Sequence, residues 1–183
     1  NTMRDAVVAA INLNIFNGHC DRVGMASIAQ VVNVLQAMLL TEGAQIVKTP
    51  TYHVFDMYKG HQGAKQIGSS VTEMKAGTGD TVIPALSQSV SMKETENGTI
   101  LTITVSNASL SEAAELEIKL PAGMAVAGNA KMAVLAGDVP AHHTFDEPEK
   151  VKPAISEEDW SGGIPTVKVP AAGVVSLTCP VKL

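Results

Sequence analysis

The sequence predicts an α/β segment followed by an all-β domain. Three observations carry that reading. Helical periodicity is confined to the first 62 residues, a mostly apolar run at 22–30 suits a strand buried on both faces, and from Gly63 onward short alternating runs are punctuated by Gly, Pro and Asn.

The elements follow in order. Met3, Ala6, Val7, Ala10, Ile11, Asn14 and Ile15 fall on one helical face, so residues 3–17 read as a helix that breaks at Asn17-Gly18. The run 22–30 is the candidate buried strand, residues 31–40 prolong the apolar character, and Thr41-Glu42-Gly43 marks a turn. Pro50 suits the first turn of a second helix over residues 51–62, with Thr49 as its cap. Helix, strand, connection and helix make the repeating unit of an α/β barrel. We therefore expect residues 1–65 to be a fragment of an α/β barrel, and the chain to be the tail of a longer protein. A lone barrel strand leaves both edges unpaired, so residues 1–62 are expected either to dock on the following domain in a rearranged helical form or to self-associate.

Residues 66–183 read as an antiparallel β-sandwich, jelly-roll-like, with strands at 69–75, 86–94, 99–106, 114–120, 125–136, 166–169 and 174–182. Asn97-Gly98 predicts a type I′ hairpin joining a strand with Val90 and Met92 to one with Leu101, Ile103 and Val105. The strand count fits a sandwich of about 110–120 residues, near the usual size. Residues 137–163, rich in Pro, Asp and Glu, read as a long loop of the kind that docks on a neighbour or frames a site.

Composition narrows the functional classes. Hydrophobic content of 45% and charged content of 17% permit a folded core. A net charge of -5, with 13 scattered basic residues, argues against a nucleic-acid partner. The longest apolar run is too short and too interrupted to span a bilayer, so no membrane association is expected. Localisation stays open between cytoplasm, periplasm and exterior, a bacterial-type intracellular enzyme being favoured. Cys20 and Cys179 read as two buried thiols, and neither a metal nor a cofactor is expected.

Candidate chemistry is sparse. Catalysis by paired carboxyl groups needs two of them held close together at strand ends. In the barrel-like part the acids Asp5, Asp21, Glu42 and Asp56 lie on a helix, before the strand, in a turn and on a helix, so no catalytic residue is assigned. The end of the predicted strand is Gln30, where barrel enzymes place substrate contacts. Its amide both donates and accepts, which suits a polar substrate, though the residues alone favour its satisfying backbone groups at a barrel rim. His142-His143 with Asp146 matches no standard metal spacing and reads as a solvated loop. His53 and Asp56 share an outer helix face, Asp21-Arg22 reads as a structural ion pair, and Glu157-Glu158-Asp159 as a charged surface run. Asn97 and Asn107 begin glycosylation sequons that matter only in a secretory pathway.

Several of these stretches resemble a known family. His19-Cys20-Asp21-Arg22-Val23, Ile28-Ala29-Gln30-Val31-Val32-Asn33-Val34-Leu35-Gln36 and Thr49-Pro50-Thr51-Tyr52-His53-Val54-Phe55-Asp56-Met57-Tyr58 are similar to the C-terminal part of α-L-arabinofuranosidases of glycoside hydrolase family 51. Ala141-His142-His143-Thr144-Phe145-Asp146-Glu147-Pro148 and 169–175 look like the same family's sandwich, so the resemblance spans nearly the whole chain. Members commonly carry a small residue where Cys20 stands and a larger or basic one where Gly18 stands. The resemblance implies that residues 1–65 are the C-terminal fragment of a (β/α)8 catalytic barrel, holding its last strand, with the two catalytic glutamates on earlier strands, an inactive isolated chain, and an intact exo-acting enzyme. That enzyme would release arabinofuranosyl groups from arabinan, arabinoxylan or oligosaccharides with retention, as part of L-arabinose metabolism. It also implies that Gln30 hydrogen-bonds the sugar next to the cleaved bond. A homo-oligomer is expected. The alternatives are a structural or oligomerisation domain and a carbohydrate-binding module; the latter is disfavoured because the aromatics of the sandwich, Phe145 and Trp160, both fall in the long loop.

Overall fold

Three long strands alternate apolar and hydroxyl-bearing residues, and they make the centre of the molecule. In the computed structural model, which describes residues 1–183, these are β6 (Leu86–Thr95), β7 (Gly98–Asn107) and β13 (Gly173–Lys182). Before them in the chain come α1 (Met3–Gly18), the hairpin β1 (Leu39–Glu42) and β2 (Gln45–Lys48), and α2 (Pro50–Tyr58) with a 3₁₀ turn Lys59–His61. Then follow β3 (Lys65–Gln66) and the hairpin β4 (Lys75–Thr78) and β5 (Thr81–Pro84). Beyond β7 lie β8 (Ala114–Leu116), β9 (Ala125–Val126), β10 (Asn129–Leu135), β11 (Ala154–Asp159) and β12 (Val167–Val169). The main sheet is antiparallel in the order β11-β10-β13-β7-β6-β3, with β9 on the end of β13. The β12–β8 ladder forms a small second layer.

Because side chains alternate across a strand, the sheet has two unlike faces. One presents Leu101, Ile103, Val105, Val175, Leu177 and Cys179, buried with Val167 and Val169 of β12 and with Trp160. The other presents Ser89, Ser91, Thr102, Thr104, Ser106 and Ser176, also buried. Helix α1 lies over this hydroxyl face. Asn14 donates from Nδ2 to the Ser87 carbonyl at 2.9 Å and accepts at Oδ1 from the Thr104 hydroxyl at 3.0 Å. A second core then joins Met3, Ala6, Val7 and Ala10 of α1 to Val54 and Tyr58 of α2 and to Leu135, Val151 and Val174. Helices α1 and α2 dock on the sandwich, but residues 22–36 do not rearrange into helix and stay largely exposed. The 3₁₀ turn approaches β7 so closely that a Cβ on Gly60 would stand 2.8 Å from the Thr102 hydroxyl.

Several sequence expectations need correction. Residues 22–30 form no strand and are largely exposed, because a buried parallel strand needs ladder partners on both sides and this chain contains none. The hairpin turn is Glu96-Asn97, not Asn97-Gly98, and it is not type I′. Thr95 pairs with Gly98, and only the glycine has positive φ, at 114°, as in a type I turn followed by a glycine bulge. The Val90–Ile103 and Met92–Leu101 pairs nevertheless sit opposite each other. The strand expected at 69–75 is instead an irregular approach to the exposed β4–β5 hairpin, and 125–136 is divided at Gly128, whose φ is 142°. The stretch 137–163 contains β11, an edge strand paired with β10 along Ala130–Glu158 and Lys131–Glu157. The main sheet begins at β3, which straddles the expected boundary between residues 65 and 66.

Candidate functional site

Gln30 is exposed, and the geometry that places it lies just beyond it. Residues 31–41 close into a compact loop. The Val31 carbonyl accepts from the N–H groups of Met38 and Leu39, both at 3.0 Å, and Asn33 N–H donates to the Leu39 carbonyl at 3.1 Å. Asn33 adopts a left-handed conformation with φ 54°, which its short amide tolerates, and clasps Thr41 from both sides. Its Nδ2 donates to the Thr41 carbonyl at 3.0 Å, while Thr41 N–H donates back to Oδ1 at 2.8 Å.

The base of this loop is fixed to the helices at Ala37, which is fully buried. The Ala37 carbonyl accepts from the Thr49 hydroxyl at 2.9 Å and from Asn1 Nδ2 at 3.0 Å. Thr49 N–H donates to the Met38 carbonyl at 2.9 Å, and Thr49 Oγ1 also accepts from Tyr52 N–H at 3.4 Å as the cap of α2. The cap read from Thr49-Pro50 is therefore present, and it is also the anchor of the loop. Asp5 serves the same corner: burial raises its carboxyl, but the Thr2 backbone N–H, the Gln36 amide and the Thr2 hydroxyl outweigh that and hold it below the usual range. Replacing Thr49 with alanine is expected to destabilise the chain by about 1–2 kcal/mol, since it removes a cap and one of the two donors to the buried Ala37 carbonyl. Urea unfolding measures the loss; hydrogen exchange at Met38 and Leu39 should quicken more than at the β7 amides, and equal rates would separate the cap from the loop.

Gln30 is thus joined to a rigid base on one side and to the open stretch 21–30 on the other. Met25 at 85% exposure and Leu35 at 88% flank it, with Val31 and Val32 about half exposed. No second candidate residue from the sequence converges on it. His143, expected in a solvated loop, is 4% exposed. Its Nδ1 meets the Lys48 carbonyl, and its Nε2 accepts from Val151 N–H at 3.0 Å, so it ties β2 to the 138–153 segment. His53 lies against it with ring centroids 5.8 Å apart; burial, then His143 and Lys48, push His53 below its ordinary value. Asp56 pairs with Lys59 at 2.8 Å, whereas Arg22 meets His19 Nδ1 at 3.1 Å, so the expected Asp21–Arg22 pair is absent. Cys179 is buried, its thiol pushed up to about 11 by desolvation, but Cys20 is exposed. Asn107 is wholly buried and donates to the Glu112 carbonyl at 2.8 Å, which removes it as a glycosylation position. No group of three or more His, Cys, Asp or Glu side chains is placed to hold a metal ion. No helix is long and apolar enough to cross a membrane.

The sequence missed a polar cluster under α1. His61 sits between the hydroxyls of Ser91 at 2.7 Å and Thr104 at 3.0 Å, and Tyr58 donates to the Ala10 carbonyl at 3.3 Å. Burial raises the Tyr58 phenol and pushes the His61 imidazole down to about 4. The signal that could have revealed it is the run of serines and threonines at alternate positions of two apolar strands, which a solvent-facing sheet would not need buried.

A sandwich whose hydroxyl face carries two helices and an anchored loop is the architecture that comparison with known proteins recovers. The family described as the α-L-arabinofuranosidase C-terminal domain matches residues 1–172. The chain belongs to that family. It is 39% identical over 180 residues to an intracellular exo-α-L-arabinofuranosidase of Bacteroides ovatus, covering 97% of this chain and 34% of the relative. Among solved structures, the GH51 arabinofuranosidase from Xanthomonas axonopodis pv. citri superposes with a TM-score of 0.85 at 33% identity, over 98% of this chain and 36% of that one. A family 51 α-L-arabinofuranosidase from Bifidobacterium longum gives 0.77 at 24% identity, over 98% and 35% of the two chains, a likeness of fold. The chain thus spans about a third of the length of these relatives.

Proposed function

We propose that this chain works as the C-terminal part of an exo-acting α-L-arabinofuranosidase, with residues 1–65 completing a (β/α)8 barrel and 66–183 forming the sandwich behind it. Residues 22–30 then become the last barrel strand when neighbouring strands supply ladder partners, and Gln30 contacts the terminal arabinofuranosyl group. The observation that carries this reading is the exposed stretch 22–30, which pairs with no strand and is followed by a loop held by the Ala37–Thr49 anchor. A segment with Met25 and Leu35 almost fully in water has a surface to bury. The carboxylates for double displacement come from the rest of the protein, and this chain supplies the sugar contact and the support.

The test uses the intact enzyme with Gln30→Ala, in this numbering. Loss of an amide hydrogen bond to the sugar is expected to lower kcat/KM for an aryl α-L-arabinofuranoside about tenfold. An unchanged kcat/KM would remove Gln30 from the site. We further take the intact protein to be a homo-oligomer, for which the exposed Val82 and Ile83 on the β5 arm offer a contact; a monomer by light scattering would end that part of the proposal.

A further inference from the structure

Residues 24–30 make no backbone–backbone hydrogen bond, whereas the backbone directly after Gln30 is bonded at every step. The Val31 carbonyl takes the N–H groups of Met38 and Leu39, Val32 bridges Leu39 in the parallel sense, and Asn33 N–H donates to the Leu39 carbonyl. Gln30 is thus held from its C-terminal side alone. Asn33 closes that hold: its Nδ2 donates to the Thr41 carbonyl at 3.0 Å and to the Thr41 hydroxyl at 2.9 Å, and its Oδ1 accepts from Thr41 N–H at 2.8 Å. Two residues of the loop, Asn33 and Gln36, are left-handed with φ of 54° and 64°. Residues other than glycine keep that conformation where their surroundings impose it, and such places concentrate at functional sites. We infer that Asn33 is a positioning residue, which sets the place of the Gln30 amide through the backbone of Val31 and Val32, an inference that rests on the sugar contact proposed for Gln30.

A strand end is where a ladder stops holding the chain, and it is also where a barrel places its substrate contacts. Such contacts work only when held to within about 0.5 Å of their productive geometry. The clasp on Thr41 begins three residues beyond Gln30, where ladder partners can no longer act. Asn33 is exposed, so water competes for its bonds and they add little to stability; what they add is a fixed path for the backbone. The residue type suits both tasks. Aspartate tolerates the left-handed backbone but lacks the donor, and glycine tolerates it but has no side chain. The far end of the loop is held separately, at Ala37 by Thr49 and Asn1, so removing the clasp frees Gln30 without releasing the loop from the helices.

Asn33→Gly keeps the left-handed backbone and removes all the side-chain bonds to Thr41, so the fold is expected to persist. In the intact enzyme, in this numbering, kcat/KM for an aryl α-L-arabinofuranoside is measured for the parent, Asn33→Gly, Gln30→Ala and the double variant. Asn33→Gly is expected to cost about fivefold in the parent and less than about twofold in the Gln30→Ala background, where no amide is left to place. Equal losses in the two backgrounds, or no loss in the parent, overturn the inference, since a residue that merely supports the loop acts alike in both. No effect of Gln30→Ala by itself ends the sugar contact, and the role of Asn33 with it, so the four rates tell the two failures apart. If Asn33→Gly yields no folded enzyme, Asn33→Asp takes its place in the same cycle, keeping the backbone conformation and the bond from Thr41 N–H.

Discussion

Leu177→Ala is expected to destabilise the chain by about 2–5 kcal/mol, the range for truncating a large aliphatic residue in a core that cannot collapse around the space left. Leu177 lies in β13, between Ile103 of β7 and Met132 of β10, and is 2% exposed. Neighbouring strands hydrogen-bond on both sides of it, so the backbone cannot move in to fill the gap. The same core contains Trp160, which makes urea unfolding followed by tryptophan fluorescence a direct measurement. An unchanged slope with a lower midpoint would report lost stability, and a loss under about 1 kcal/mol would contradict the packing described.

The second large effect is acid sensitivity of the helix–sheet contact. His61 is held near 4 because burial leaves its ring among hydroxyls, with the Tyr58 ring beside it at a centroid distance of 5.8 Å and no carboxylate partner. In the unfolded chain it takes up a proton near pH 6.5. Between those values the unfolded state binds more protons than the folded state, so stability is complete above about pH 6.5 and falls as the pH drops toward 4. The loss approaches about 3 kcal/mol once both states are protonated. His53, also depressed, adds a contribution of the same sign. Urea midpoints between pH 7 and pH 4 should decline less steeply in His61→Gln, whose amide can still meet the two hydroxyls. Parallel slopes in parent and variant would assign the acid sensitivity elsewhere.

What could be read in the sequence follows the strength of local pattern. Helix α1 was legible because Met3, Ala6, Val7, Ala10 and Asn14 recur at helical spacing, and all five are buried. Strands β6, β7 and β13 were legible because apolar and polar residues alternate through most of each. The α2 cap followed from two adjacent residues. Strand β11 was not legible: Ile155 is its single large apolar residue, and an edge strand turned mostly to water has no alternation to show. The β4–β5 hairpin lacks it for the same reason, with every residue of β5 exposed. His143 was misread because its burial comes from Lys48, 95 residues away, while its own neighbourhood is polar. Residues 22–30 have the composition of a buried strand, but hydrogen-bond partners belong to the tertiary structure and do not follow from composition. Gln30 is a candidate through its place at the end of that stretch and through family resemblance, whereas the anchor beyond it depends on contacts between residues 1, 37 and 49.

The exposed rim of β11 also bears on colloidal behaviour. A sheet edge with open N–H and C=O groups is a template on which another chain can grow, and the opposite edge, β3, is only two residues long. β11 sets Glu157, Glu158 and Asp159 along its six-residue length, so two such edges brought together would face each other with like charges. In neutral solution this acidic row keeps sandwiches from joining into ribbons. Strong acid erases the repulsion, and with it the barrier to fibril growth from that rim.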